Sequence, residues 1–260
     1  MQIPIYHVDA FTDKLYSGNP AAVCVLQQWL SDEVMQSIAF ENNLSETAFI
    51  MPKTEAEYAI RWFAISKEIP LCGHATLAAA FVAFTYLQPE LSQVSFQSQS
   101  GNLSVQREQD KLWLNFPLIY PEPIAIPEPF ANDSIFKPQA AYQARNLLLV
   151  FDHEQQVRDF VPHYANWQPF NWHGLIITAP SFQYDFVSRF FVQEPAGEDP
   201  VTGSAHCMLT PYWVKRLNKS SLHAKQLSSR GGEIWCELQG ERVLLKGKVV
   251  PYLSGTIDLA

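Results

Sequence analysis

Two short segments of this chain follow one plan. Leu71-Cys-Gly-His-Ala-Thr-Leu77 and Asp199-Pro-Val-Thr-Gly-Ser-Ala-His-Cys207 each put a glycine at the head of a small-residue run, and Gly73 and Gly203 stand 130 residues apart in a chain of 260. Upstream, Arg61-Trp-Phe63 and Arg189-Phe-Phe191 lie in strand-like runs, Tyr58 to Ile65 and Phe186 to Val192. Both halves therefore read strand, polar loop, small-residue turn, helix. The intervals differ, with 12 residues from Arg61 to Gly73 and 14 from Arg189 to Gly203, so the copies share a plan and not a detailed length. Two repeats are fewer than a solenoid needs. The economical reading is a duplicated protein of two pseudo-twofold-related domains with a site between them.

A hydrophobic fraction of 47% over 260 residues can fill two modest cores, each in a half of common domain size. Six prolines between Pro117 and Pro138 break both ladder and helix patterns. They put the boundary there, giving domains 1–117 and 118–260, with the last strand free to pack back on the first domain.

The first half reads as strands at Ile3 to Phe11 and Ala21 to Gln27 joined by a Gly18-Asn19-Pro20 turn, then a helix opened by Ser31 as N-cap and by Asp32 and Glu33 in its first turn. Thr47 to Pro52 and Tyr58 to Ile65 read as strands. Ala75 to Phe84 has no polar face, so a helix there is expected to be buried all round. Val94 to Phe96, Asn102 to Gln106 and Lys111 to Phe116 are further strands. The second half offers a helix near Asp152 to Phe160, strands at Leu175 to Thr178 and Phe186 to Val192, a helix after Gly203, and closing strands around Gly232 to Glu237, Arg242 to Lys246 and Val249 to Leu253. The expected class is α+β twice over, each domain a mostly antiparallel curved sheet wrapped around a central helix.

Composition narrows the function. The four cysteines form no C-x-x-C pair and the N-terminus lacks a charged then apolar leader pattern, which points to a reduced, cytoplasmic protein. The longest apolar run is about half of what a bilayer-spanning helix needs. A formal charge of -8 without a block of Lys or Arg argues against nucleic acid, whose binding is dominated by basic neutralisation of phosphates. A small anionic ligand would have to be held by local groups against that field. No H-x-x-x-H, H-E-x-x-H, G-x-S-x-G, P-loop or G-x-G-x-x-G occurs, so no metal and no nucleotide cofactor is expected.

Several residues can carry chemistry, each beside a plainer reading. Glu46 sits where a helix ends and an apolar strand begins; it is either an exposed loop acid or a partly buried carboxyl whose pKa rises towards that of a general acid/base. Asp199 before Pro200 is either a turn former or an acid beside a helix start. Gly203-Ser204 and Gly73-His74 head helices whose first amides can bind an anion without a basic side chain. His74, in a first turn where the helix dipole disfavours imidazolium, is either a neutral hydrogen-bonding or proton-relaying group or one satisfied by its neighbours. Ser204 is either a ligand contact or a helix cap.

Val8-Asp-Ala-Phe11, Gly18-Asn-Pro-Ala-Ala-Val23, Leu44-Ser-Glu-Thr-Ala-Phe49, Arg61-Trp-Phe63, Leu71-Cys-Gly-His-Ala-Thr76, Glu198-Asp-Pro-Val-Thr-Gly-Ser-Ala-His206 and Gln226-Leu-Ser-Ser-Arg-Gly-Gly232 run in order along nearly the whole chain. Together they resemble the PhzF family of phenazine-biosynthesis-like isomerases. The resemblance implies the diaminopimelate-epimerase fold, a homodimer, and cofactor-independent proton transfer on a small carboxylate bound in the cleft between two domains. It assigns the catalytic roles to Glu46, His74 and Asp199, with Glu46 as the acid/base, and substrate contacts to Ser45, Cys72, Gly73, Gly203 and Ser204. Related epimerases use two thiols; Cys72 corresponds approximately to the first, and the second position falls near Asp199, which leaves the pair incomplete. The chain departs from the family pattern at Ala64-Ile65 and in the loop from Val192 to Gly197, segments expected to border the cleft. Two other readings stay open, a non-catalytic ligand-binding or interaction module on the same fold and an epimerase using Cys72.

Overall fold

The computed structural model describes residues 1–133, 135–164, 171–192 and 197–259. The chain divides into two compact units, Met1–Asn115 with Lys246–Ala260, and Phe116–Leu245. The first unit thus combines the N-terminal residues with the closing ones from Lys246 onward.

The first unit contains β1 (Gln2–Ala10), β2 (Asn19–Val25), α1 (Asp32–Asn42), β3 (Glu46–Pro52), β4 (Glu57–Ala64), the two-residue β5 (Glu68–Ile69), α2 (Gly73–Val82), β6 (Gln93–Ser98), β7 (Gly101–Glu108) and β8 (Lys111–Pro117). The chain leaves β2, crosses over through α1 and returns as β3 parallel to β2. β4 then runs antiparallel to β3 and carries β5. After α2 the chain comes back as β6, parallel to β4, and β7 pairs antiparallel with β6.

The second unit holds β9 (Glu122–Ile124), α3 (Glu128–Ala131), β10 (Ala140–Gln143), β11 (Leu147–Val150), α4 (Glu154–Asp159), β12 (Gly174–Pro180), β13 (Phe186–Val192), the two-residue β14 (Glu198–Asp199), α5 (Gly203–Leu217), β15 (Ser221–Gln226), β16 (Gly232–Gln239) and β17 (Arg242–Gly247). Its path repeats that of the first. β12 returns parallel to β11 across α4, β13 runs antiparallel to β12 and carries β14, β15 returns parallel to β13 across α5, and β16 pairs antiparallel with β15. A parallel neighbour needs a crossover of a dozen or more residues, and each helix supplies one. The final strand β18 (Val249–Asp258) lies antiparallel to β1 from Gln2↔Asp258 to Ala10↔Val249.

Local chemistry explains the helices. Ser31 accepts a hydrogen bond from the Val34 amide and Asn43 closes α1 in the left-handed conformation at φ 50°. In α2 the residues from His74 to Val82 are buried except Phe81, the all-round burial that its alanines imply. The last turn departs from the expected helix to Phe84 by widening into a π-helical turn, Ala83–Leu87. Helix α5 contains Pro211, which cannot donate to the Cys207 carbonyl one turn back; the Ile119 amide donates to that carbonyl instead, at 3.2 Å.

Each unit packs its crossover helix on one face of its sheet. Met35, Ile38 and Ala39 of α1 meet Ile3, Ile5, Ala22, Cys24, Phe49 and Phe63. Val157 of α4 meets Leu147, Leu149, Leu175, Ile177, Val187 and Phe191. Strands β10, β11 and β15 had no place in the sequence reading. Leu147-Leu-Leu-Val150 is buried along its whole length, so it lacks the alternation that marks a half-exposed strand. Of the variant loop from Val192 to Gly197, residues 193–196 lie outside the described ones.

Candidate active site

The turns that precede α2 and α5 are built in the same way, which explains the sequence echo. Arg61 on β4 forms a two-point bond with Glu68 on β5, Nε to Oε1 at 2.7 Å and Nη2 to Oε2 at 2.6 Å. Arg189 on β13 does the same with Glu198 on β14, at 2.6 and 3.0 Å. Each guanidinium also lies over the phenylalanine two residues on, 5.1 Å above Phe63 and 4.8 Å above Phe191. From Glu68 to Gly73 and from Glu198 to Gly203 is five residues in both cases, so the two extra residues of the second copy fall between Arg189 and Glu198. Ser100 donates its hydroxyl to the Pro70 carbonyl at 2.8 Å and Ser228 donates to the Pro200 carbonyl at 2.7 Å. The turns are thus fastened twice, by a fork from the preceding strand and by a serine just beyond the strand that follows the helix.

This alignment corrects one expectation. Cys72 is the N-cap of α2 and Thr202 the N-cap of α5, so the counterpart of the thiol is Thr202 and not Asp199. Neither N-cap side chain caps its helix, and neither first turn carries an acidic residue. Leaving an N-cap side chain unused costs a helix about 1 kcal/mol. What the two side chains do instead differs between the halves.

In the first unit Glu46 opens β3, lying between Ala21 of β2 and Ala64 of β4, and its side chain is 18% exposed. Its Oε2 lies 3.2 Å from Nε2 of the buried His74, without the alignment of a formed hydrogen bond. On the other side of the ring, Nδ1 lies 3.2 Å from the amide nitrogen of Asn19 and 3.5 Å from Cys72 Sγ. Asn19 is fully buried and was read from sequence only as part of a turn. That turn places it: Gly18 sits at φ +70°, and a Cβ there would come within 2.2 Å of the Ala10 carbonyl oxygen.

Burial opposes charge on His74, but its interactions with Cys72 and Glu46 outweigh it and raise the ring well above the usual histidine range. The Cys72 thiol is itself pushed up, first by burial and then by Glu46, and is therefore neutral at pH 7. The helix dipole favours a neutral His74, and the contacts with Glu46 and Cys72 pull the other way. The donor atoms of Glu46, Cys72 and His74 lie within 4.8 Å of one another, a mixed oxygen, sulfur and nitrogen set that suits zinc in kind. Sequence spacing gave no sign of this trio, because Glu46 reaches it from a different strand.

In the second unit Asp199 ends β14 and is half-buried. The Thr202 hydroxyl donates to Asp199 Oδ2. Gln226 at the end of β15, fully buried, accepts the Thr202 amide at 2.9 Å and donates to the Asp199 carbonyl at 2.8 Å. Gly203 is buried and Ser204 exposed at the first turn of α5, while Ser45 lies in the turn before β3. The structure thus gathers Glu46, Cys72 and His74 in the first unit with Asn19, and Asp199, Gly203 and Ser204 in the second with Thr202 and Gln226.

Comparison with known proteins finds relatives along the whole chain. A family description of phenazine biosynthesis-like proteins, PhzC-PhzF, matches residues 8–255. A Pseudomonas aeruginosa protein named as an uncharacterized isomerase is 48% identical over 262 residues, covering all of both chains. The crystal structure of a phenazine biosynthesis protein of the PhzF family from Enterococcus faecalis superposes with a TM-score of 0.95 at 44% identity over the whole of both chains. At the level of fold alone, a hydroxyproline epimerase from Agrobacterium vitis matches with a TM-score of 0.66 at 11% identity, covering 98% of this chain and 92% of that one. The chain belongs to the phenazine biosynthesis-like family, and its kinship with proteins named as isomerases supports an isomerase role.

Proposed function

We propose that the protein is a cofactor-independent isomerase that moves a proton on a small carboxylate, with Glu46 as base and then acid. The observation that carries the reading is the Glu46 carboxylate held partly buried at 3.2 Å from the His74 imidazole. In the step proposed, Glu46 takes a proton from a carbon of the substrate, the electron pair shifts along the adjacent unsaturated system, and the resulting carboxylic acid returns the proton to a second carbon. No net proton or electron is consumed. His74 steadies the carboxylate, and a base placed in this way contributes roughly 10²–10⁴-fold in rate.

The uncapped start of α2 would bind a carboxylate through the amides around Gly73, with Ser45 and Cys72 as further contacts; in the second unit the amides around Gly203 and Ser204 would do the same, and Asp199 would assist proton transfer. Two features support an anion there: neither first turn carries an acid, and a Cβ at Gly203 would meet Leu245 only at an ordinary 3.7 Å, so packing does not demand the glycine. A metal on Glu46, Cys72 and His74 would occupy the carboxylate that the reaction needs. The homodimer and the cytoplasmic setting implied by family resemblance belong to the same reading.

The test is incubation with a panel of small cyclic and unsaturated carboxylates in deuterated water, followed by NMR for exchange at carbon. Exchange with at least one member is expected, and Glu46→Gln should lose it while keeping fold and ligand affinity. Undiminished exchange in Glu46→Gln would remove Glu46 from the mechanism, and silence across the panel would favour a non-catalytic ligand-binding module.

A further inference from the structure

We propose that Thr202 and Gln226 are positioning residues that hold Asp199 as an aimed, ionised carboxylate; the functional value of this rests on the proposed acid/base reading, whereas the positioning itself does not. The directions of the hydrogen bonds follow from chemistry. The Thr202 backbone N–H can only donate and the Asp199 backbone carbonyl can only accept, so the group of Gln226 facing the first is its oxygen, at 2.9 Å, and the group facing the second is its nitrogen, at 2.8 Å. The amide of Gln226 is therefore not free to turn over.

That nitrogen also donates to Thr202 Oγ1 at 3.2 Å. With its oxygen accepting from Gln226, the Thr202 hydroxyl sends its single proton to Asp199 Oδ2. A hydrogen bond of that direction favours the ionised carboxylate over the acid. The charged groups on the adjoining strands are engaged with each other: Arg189 and Glu198 at 2.6 Å, Lys225 and Glu233 at 3.3 Å. Thr202 and Gln226 thus act on Asp199 as neutral donors fixed to the backbone.

The position of Thr202 supports a role beyond stability. A threonine at a helix N-cap ordinarily accepts an amide of its own helix, and this one does not. Its counterpart Cys72 likewise leaves α2 uncapped and lies 3.5 Å from His74 Nδ1. In each half the N-cap side chain turns from its helix towards the candidate acid/base group beside it. Gln226 completes the arrangement from β15, where burial excludes water that would otherwise compete for the same hydroxyl.

The test uses the whole protein without ligand. The titration of the Asp199 carboxyl carbon is followed by 13C NMR in the wild type, Thr202→Val, Thr202→Ser and Gln226→Leu, with near-ultraviolet circular dichroism as the check on fold. Loss of one hydrogen bond to an ionised group should tighten proton binding by Asp199 about tenfold in Thr202→Val, with Thr202→Ser restoring the wild-type midpoint. Gln226→Leu should move the midpoint the same way, by less. An unchanged midpoint in folded Thr202→Val overturns the proposal, whatever the outcome with Glu46→Gln. If the midpoint moves but exchange of the carboxylate panel is untouched by Glu46→Gln, the positioning stands and the acid/base reading is what fails.

Discussion

Lowering the pH should expose a specific weakness at His206. This residue lies in the first turn of α5 and is wholly buried; Nδ1–H donates to the Thr202 carbonyl at 2.8 Å, and the ring lies 5.9 Å from that of Phe186. Burial pushes its pKa down to about 4, with only the bond to Thr202 pulling the other way. An unfolded histidine titrates near 6.5. Between those values the unfolded chain binds a proton that the folded chain refuses, so stability is complete above about pH 6.5 and is lost as the pH falls towards 4. At about 1.4 kcal/mol per decade of proton concentration, the loss from this one side chain reaches ~3 kcal/mol. Denaturant unfolding of the wild type and of His206→Gln, measured from pH 7.5 to 4, isolates the effect because every other titrating group is common to both. The variant should be less stable at pH 7.5 and should close most of that gap by pH 4. A difference that stays flat across the range would refute the assignment of a neutral, proton-refusing imidazole.

Three further outcomes test other parts of the structure. Arg189→Ala removes the fork to Glu198 and the bonds to the Val157 and Phe160 carbonyls, leaving a half-buried carboxylate alone, and should cost about 3 kcal/mol in urea unfolding; a cost below ~1 kcal/mol would show the fork to be ornamental. Gly18→Ala must adopt a positive φ and push its Cβ against the Ala10 carbonyl, so it should destabilise by about 2 kcal/mol and slow exchange of the carboxylate panel by shifting Asn19 from His74; wild-type stability and rate together would refute the placement. Cys72, a buried neutral thiol, should resist iodoacetamide in the native protein at pH 7, and rapid alkylation there would bring back the thiol-epimerase reading.

The duplication was legible because it rests on residue types that do one thing. Arg61 and Arg189 end up in matching forks, and the glycine-led segments start matching helices, as their spacing implied. The apolar run after Gly73 could be read as a buried central helix because no polar face was available to it. The register within the copies was harder. Pairing Cys72 with Asp199 by family analogy missed that Glu68 and Glu198 fix the count to the glycine, which makes Thr202 the matching N-cap. Asn19 and Gln226 were invisible for another reason: each acts through a single buried side-chain amide whose partner lies tens of residues away, 55 for His74 and 24 for Thr202. No local pattern encodes such a contact. Strand β11 escaped because a strand buried along its whole length leaves only a short apolar run without alternation.

The two halves also show how a repeated frame can carry unlike chemistry. The serine fastenings, from Ser100 and Ser228, end on backbone carbonyls, as do the first-turn bonds of the helices: Thr76 donates its hydroxyl to the Cys72 carbonyl at 2.5 Å, and His206 donates its ring N–H to the Thr202 carbonyl at 2.8 Å. A hydroxyl and an imidazole serve equally because a carbonyl acceptor asks only for a donor at the right distance. The frame therefore constrains the path of the main chain and leaves the N-cap and second helical positions unconstrained in chemical type. Both have diverged, cysteine against threonine and His74 against Ser204. Glu46 reaches His74 from β3, outside the repeated segment altogether, so the asymmetry that the proposed mechanism requires arises from a strand end and not from the duplicated turns.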